Sequence, residues 1–114
     1  MKKDCEPILY KEFAKMDIRV GTIKAVKDHP DADKLYLILV DFGKEDIDRQ
    51  IVAGIKQWYT KKDLIGKKIV VLTNLEPKVL RGIESNGMLL AAEKDGKVVL
   101  LTVEKDIPNG AKIS

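Results

Sequence analysis

The chain has 114 residues, 45% of them hydrophobic and 34% charged, with a formal net charge of +3, one cysteine and one histidine. That length holds one domain around one modest aliphatic core, and no apolar run is long enough to cross a bilayer as a helix. The lone Cys5 cannot close an internal disulfide, and one cysteine with one histidine excludes a zinc-finger framework.

The start, MKKDCEP, carries charge with no apolar signal segment behind it, so the expectation is a soluble, cytoplasmic protein. In "PILYKEFAKMD" the apolar positions 9, 10, 13, 14 and 16 predict a short amphipathic helix. "DIRVGTIKAVKDH" follows as strand one. Its apolar alternation changes phase at Gly21, which predicts a bulge or bend there. "HPDADK" is a turn by composition, "KLYLILVDFG" is strand two, and "RQIVAG" after the acidic "KEDID" is strand three. In "YTKKDLIGKK", Thr60 as N-cap, Asp63 three residues on and Gly66 as a stop predict a helix of one to two turns. "KKIVVLTN" is strand four, "GMLLAAE" strand five, and Asp95-Gly96 predicts a tight hairpin into "KVVLLTV".

Five strands with a short helix between the third and fourth is the order of an OB-fold, a partly open Greek-key barrel, here with an N-terminal helix and a C-terminal extension. An SH3-like barrel fits less well, given the length of strand one and the helix position. OB-folds bind through the face of strands two and three and the loops joining strands one to two and four to five. Those loops are "HPDADK" and the segment "TNLEPKVLRGIESNGMLLAA", Thr73 to Ala92.

Catalytic chemistry finds little support. His29, Asp31 and Asp33 lack a further ligand group, and carboxylates in a short turn suit backbone capping. Cys5 lies near a terminus with no second histidine in the chain to pair with, and the phosphate-cradling patterns GxxxxGK(S/T) and GxGxxG are missing. No catalytic residue, metal or cofactor is expected.

Binding finds more. Lys78 and Arg81 lie three apart, while Asn74, Ser85 and Asn86 add donors and acceptors suited to phosphates, ribose and exposed bases. Spacing alone leaves ligand contact and ordinary solvation of Lys78 and Arg81 equally open. Val79, Leu80 and Ile83 are expected to face the core, Pro77 to fix the loop's entry, and Met88 either to join the core or to pack on a base or sugar. All the net positive charge sits in the second half, where the last 57 residues carry 10 basic and 7 acidic groups. Lys56, Lys61, Lys62, Lys67 and Lys68 surround only Asp63, which permits a polyanionic partner without requiring one.

The blocks "DIRVGTIKAVKDHPDADKLYLI", "RQIVAGI" and "GKKIVVLTNLEPKVLRGIESNGMLLAA" resemble the signature blocks of the tRNA-binding domain family, over roughly residues 12 to 114. That family includes the C-terminal domain or separate beta subunit of methionyl-tRNA synthetase, free-standing structure-specific tRNA-binding proteins, the chaperone CsaA and a cytokine-like domain of multisynthetase complexes. The resemblance implies a single non-catalytic OB-fold domain over 1–114, with its barrel at about 17–103 and a dimerisation segment at about 100–114. It implies tRNA, a second copy and the synthetase's catalytic subunit as partners. A peptide-binding chaperone is the alternative. Carried over by position, the family's tRNA-binding pattern falls on Lys34, Asn74, Lys78, Arg81, Ser85 and Met88. Lys34 and Lys78 are then expected on phosphates, Arg81 on a phosphate or base plane, and Asn74 and Ser85 on ribose or base edges, with Met88 supporting the surface.

Overall fold

The computed structural model describes residues 5–114. Helix α1, Tyr10–Ala14, is opened by a hydrogen bond from the Leu9 amide to the Glu12 carboxylate, and it buries none of its side chains. Strand β1, Ile18–Asp28, is long enough to serve two neighbours. Its first half, Ile18 to Thr22, pairs with β4, Lys68–Leu72, and its second half, Thr22 to Asp28, pairs with β2, Tyr36–Asp41. Such a hand-over is how one strand turns the corner of a small barrel.

The irregularity in β1 falls between Ile23 and Ala25, not at Gly21. Gly21 answers a different need. A Cβ there would lie 2.5 Å from Val40 Cγ1 and 2.9 Å from Phe42 Cε1, so the glycine admits two core side chains against the backbone.

Strand β3, Arg49–Ala53, pairs with β2, and the five-stranded antiparallel sheet runs in the order β3-β2-β1-β4-β7, with β7 at Met88–Leu89. Alternate residues Tyr36, Ile38 and Val40 of β2 are buried, as strict alternation requires. They meet Ile23, Phe42, Ile51, Ile69 and Val71 in a single core. Helix α2, Lys61–Leu64, inserts fully buried Leu64 into that core. The expected cap is in place: Thr60 Oγ1 accepts from the Asp63 amide and the Asp63 carboxylate accepts from the Thr60 amide, both at 3.2 Å. The result is a nearly closed barrel matching the OB-like expectation.

Three features depart from the expected element list. The segment after β4 contains its own hairpin, β5 at Lys78–Leu80 and β6 at Ile83–Ser85. Strand five divides, because β7 pairs with β4 while β8, Ala91–Lys94, peels away to pair with β9, Lys97–Leu100, around Asp95-Gly96. The chain's end also pairs with the barrel. Where β1 lacks β2, the Val20 amide donates to the Ala111 carbonyl at 2.9 Å, and the Val20 and Ile18 carbonyls accept from the Gly110 and Ile113 amides at 2.8 Å.

Candidate nucleic-acid interface

Closure of the barrel decides which side chains of the 73–92 segment point outward. Strand β3 would otherwise end the sheet with an open edge. The Asn86 amide donates to the Gln50 carbonyl at 2.9 Å, Ser85 Oγ accepts from the Val52 amide at 2.9 Å, and Gln50 Nε2 donates to the Glu84 carbonyl at 3.1 Å. Gly87 follows at φ 122°, where a Cβ would sit 3.1 Å from the Leu72 carbonyl. The run Ser85, Asn86, Gly87 is therefore the seam of the barrel.

One of the expected contact residues takes part in closing the barrel. Ser85 is buried, and its hydroxyl is engaged by the Val52 amide and, at 3.3 Å, by the Gly87 carbonyl. Its hydroxyl builds the seam. Asn74 is exposed, but its amide already holds the N-terminal segment, accepting from the Asp17 amide at 2.8 Å and donating to the Lys15 carbonyl at 2.7 Å. Neither role shows in the residue types, since both partners lie far away in the chain.

The remaining expected residues are exposed. Lys78 opens β5, Met88 opens β7, and both line a cleft of about 240 Å³ with Val52, Leu75, Glu76, Leu80, Gly87 and the otherwise buried Ser85. Met88 is 46% exposed, so it belongs to the surface and not to the core. Val79 is also exposed, against the expectation that it packs inward. Strand β5 lies in a separate two-stranded sheet outside the barrel, and its alternation presents Lys78 and Leu80 to the cleft.

Arg81 and Gly82 form the hairpin tip at φ 52° and 87°. Two consecutive left-handed residues make a type I′ turn, where asparagine or glycine is favoured at the first position. An arginine held there departs from local preference, the kind of outlier that accompanies function. Its Nη2 donates to the Asp31 carbonyl at 3.0 Å, so the tip leans on the β1–β2 loop. There Arg81, Lys34, Asp31, Ala32 and Asp33 line a shared hollow of about 360 Å³. The two loops expected to carry the ligand thus meet, with a cation from each.

The lysine cluster reads differently in three dimensions. Lys56 and Lys61 each reach Asp28 at 2.9 Å, and Lys68 reaches Asp106 at 2.9 Å. Hydrogen bonds from Lys61 and then Lys56 hold the Asp28 carboxyl below its ordinary range, and Lys68 does the same for Asp106. Trp58 and Tyr59 pack against the core, and the Tyr59 hydroxyl accepts from the Leu100 amide at 3.1 Å. Among the described residues no group of three or more His, Cys, Asp or Glu side chains could hold a metal ion.

A family model described as "Putative tRNA binding domain" matches residues 18–112. The chain is 50% identical over 112 residues to the methionine–tRNA ligase of Pyrococcus horikoshii, covering 98% of this chain and 15% of that protein. It is 46% identical over 108 residues to the corresponding ligase of Archaeoglobus fulgidus, covering 95% and 16%. The chain therefore spans about 15% of the length of these ligases. Among solved structures, a MetRS related protein from Pyrococcus horikoshii superposes with a TM-score of 0.88 at 38% identity, over 96% of this chain and all of that one. The CsaA chaperone protein from Picrophilus torridus gives 0.87 at 38% identity, over 95% and 100%. With a family model matched across the barrel and relatives at half identity over nearly its whole length, this chain belongs to the tRNA-binding domain family.

Proposed function

We propose that the chain holds folded tRNA for a methionine–tRNA ligase, as a non-catalytic cytoplasmic subunit acting beside the chain that performs aminoacylation. The observation that carries this reading is the meeting of the two loops, which puts Lys34 and Arg81 around one hollow with Lys78 on the adjoining hairpin. Positioned cations, set beside Asp31 and Asp33 in the hollow and beside aliphatic surface in the cleft, suit phosphates and exposed sugar edges of a folded RNA, which is recognised by shape more than by base sequence. Half identity to methionine–tRNA ligases supports the choice of enzyme. A homodimer, expected from the family and from the exposed Val99 and Leu101, would present two such faces to RNA.

A second reading is a peptide-binding chaperone, favoured by the resemblance to CsaA proteins and by the aliphatic walls of the cleft at Val52, Leu75, Leu80 and Met88. Gel-shift titration with bulk tRNA, repeated with an unfolded polypeptide as competitor, separates the two. Retardation of tRNA that the polypeptide leaves unchanged supports the ligase reading. Binding of polypeptide without retardation of tRNA overturns it. Sedimentation at micromolar concentration tests the dimer, and a monomer there removes that part of the proposal.

A further inference from the structure

Beneath the hollow shared by Lys34 and Arg81 lies His29, to which the tRNA-binding reading assigns no task. The residue is 5% exposed, and both ring nitrogens are engaged. Nε2 stands 3.0 Å from the Leu80 carbonyl oxygen, and Nδ1 stands 3.0 Å from the Asp31 amide nitrogen. A carbonyl only accepts and an amide N–H only donates. Nε2 therefore carries the ring hydrogen and Nδ1 the lone pair, and no other protonation state makes both bonds.

This ring joins the β1–β2 loop to the β5–β6 hairpin. The β1–β2 loop is closed on itself, since the His29 amide donates to the Leu35 carbonyl at 3.1 Å and the Leu35 amide to the Ala32 carbonyl at 3.2 Å. It is a platform that carries Lys34. The β5–β6 hairpin is a separate two-stranded sheet, fastened to β3 near Glu84 and Ser85 at the end away from its tip. A two-stranded hairpin has little stability of its own in water, so its tip takes its position from what it touches. Among the described residues, the hydrogen bonds that cross this gap are His29 Nε2 to Leu80 and Arg81 Nη2 to Asp31. Arg81 is exposed, whereas His29 is shielded from water, where a hydrogen bond holds its geometry against solvent competition.

We propose that His29 is the positioning residue of the RNA site, fixing the spacing between Lys34 on one loop and Lys78 and Arg81 on the other so that both reach phosphates of one folded RNA. The inference rests on the tRNA-binding reading, and two substitutions separate its failure from that of the reading. The amide of His29→Gln extends to the Nε2 position and can still donate to Leu80. The shorter side chain of His29→Asn retains an acceptor for the Asp31 amide but does not reach Leu80.

Titrated with tRNA at several salt concentrations, wild type and His29→Gln are expected to agree within about threefold. His29→Asn is expected to bind at least about tenfold more weakly, with a salt dependence shallower by about one phosphate contact. A role in stability alone leaves that slope unchanged. Equal affinity and slope for the two variants overturn the inference and leave the reading intact, whereas a wild type that does not retard tRNA overturns both. If His29→Asn does not fold, the nitrogen resonances of the wild-type imidazole decide. The Nε2–H tautomer supports the link to Leu80, and the Nδ1–H tautomer overturns it.

Discussion

The Ser85 hydroxyl oxygen lies 2.9 Å from the Val52 amide, bridging the gap between the two ends of the barrel sheet where backbone pairing alone does not complete the seam. Ser85→Ala leaves a buried amide without its acceptor, at a cost of about 1–3 kcal/mol. Urea unfolding is expected to show that loss. At temperatures where the variant stays folded, its tRNA affinity is expected to fall less than that of Lys78→Ala. The reverse order would return Ser85 to the contact surface.

Arg81 separates function from local stability. Arg81→Ala and Lys78→Ala are each expected to weaken tRNA binding and to reduce the salt slope by about one, with the fold intact. Arg81→Asn places at φ 52° a residue that tolerates the left-handed region. Its stability is expected to equal or exceed that of wild type by up to about 1 kcal/mol, while tRNA binding weakens as in the alanine variant. A thermal melt beside a gel shift checks both halves, and an Arg81→Asn protein with full affinity would sink the assignment of Arg81.

Gly87 is the seam's steric limit. Gly87→Ala puts a Cβ 3.1 Å from the Leu72 carbonyl and 3.3 Å from Val71 Cγ1, at a φ of 122° that side chains rarely adopt. A loss of at least about 1–3 kcal/mol is expected, with the β7 amides exchanging hydrogen faster. A variant as stable as wild type would show that the seam can open without cost.

Asp17 ties the start of β1 to the end of β4. The Thr73 hydroxyl donates to its carboxylate, and Arg19 Nε lies 3.0 Å from both oxygens. The Thr73 bond first, and then Arg19, hold the carboxyl below its ordinary value of 3.8. A folded-state value lower than the unfolded one adds stability that is present above about pH 4 and is lost as pH falls through the folded value. Wild type is therefore expected to exceed Asp17→Asn in stability near neutral pH, with the difference shrinking below about pH 4. Urea midpoints across that range check this. A difference that stays constant down to about pH 2 would assign the effect to neutral hydrogen bonding.

Much of the architecture was legible because it is local. Alternation in "KLYLILV" marks Tyr36, Ile38 and Val40 as inward, Thr60 and Asp63 three apart mark the start of α2, and Asp95-Gly96 marks the β8–β9 turn. Each signal relates residues within a few positions of one another. The β5–β6 hairpin escaped because its turn is Arg81-Gly82, without the asparagine or aspartate that usually announces a type I′ turn. The shift of the bulge from Gly21 to Lys24 escaped for a related reason: a glycine needed for close approach of Val40 and Phe42 looks, in sequence, like one needed for a bend.

The sequence by itself determined the main barrel strands, the inward face of β2 and the family, and it singled out two loops as candidates for a ligand. Tertiary structure alone decided which polar residues of those loops are engaged in building the barrel and which stay at the surface. Ser85 pairs with Val52, 33 residues away, Asn74 with Asp17, 57 away, and His29 with Leu80, 51 away. Periodicity reports which face of an element is buried, but it carries no record of the distant backbone group a side chain will find there. Lys34, Lys78 and Arg81 stay at the surface, while Ser85 and His29 are taken inside by hydrogen bonds that form only when the barrel closes.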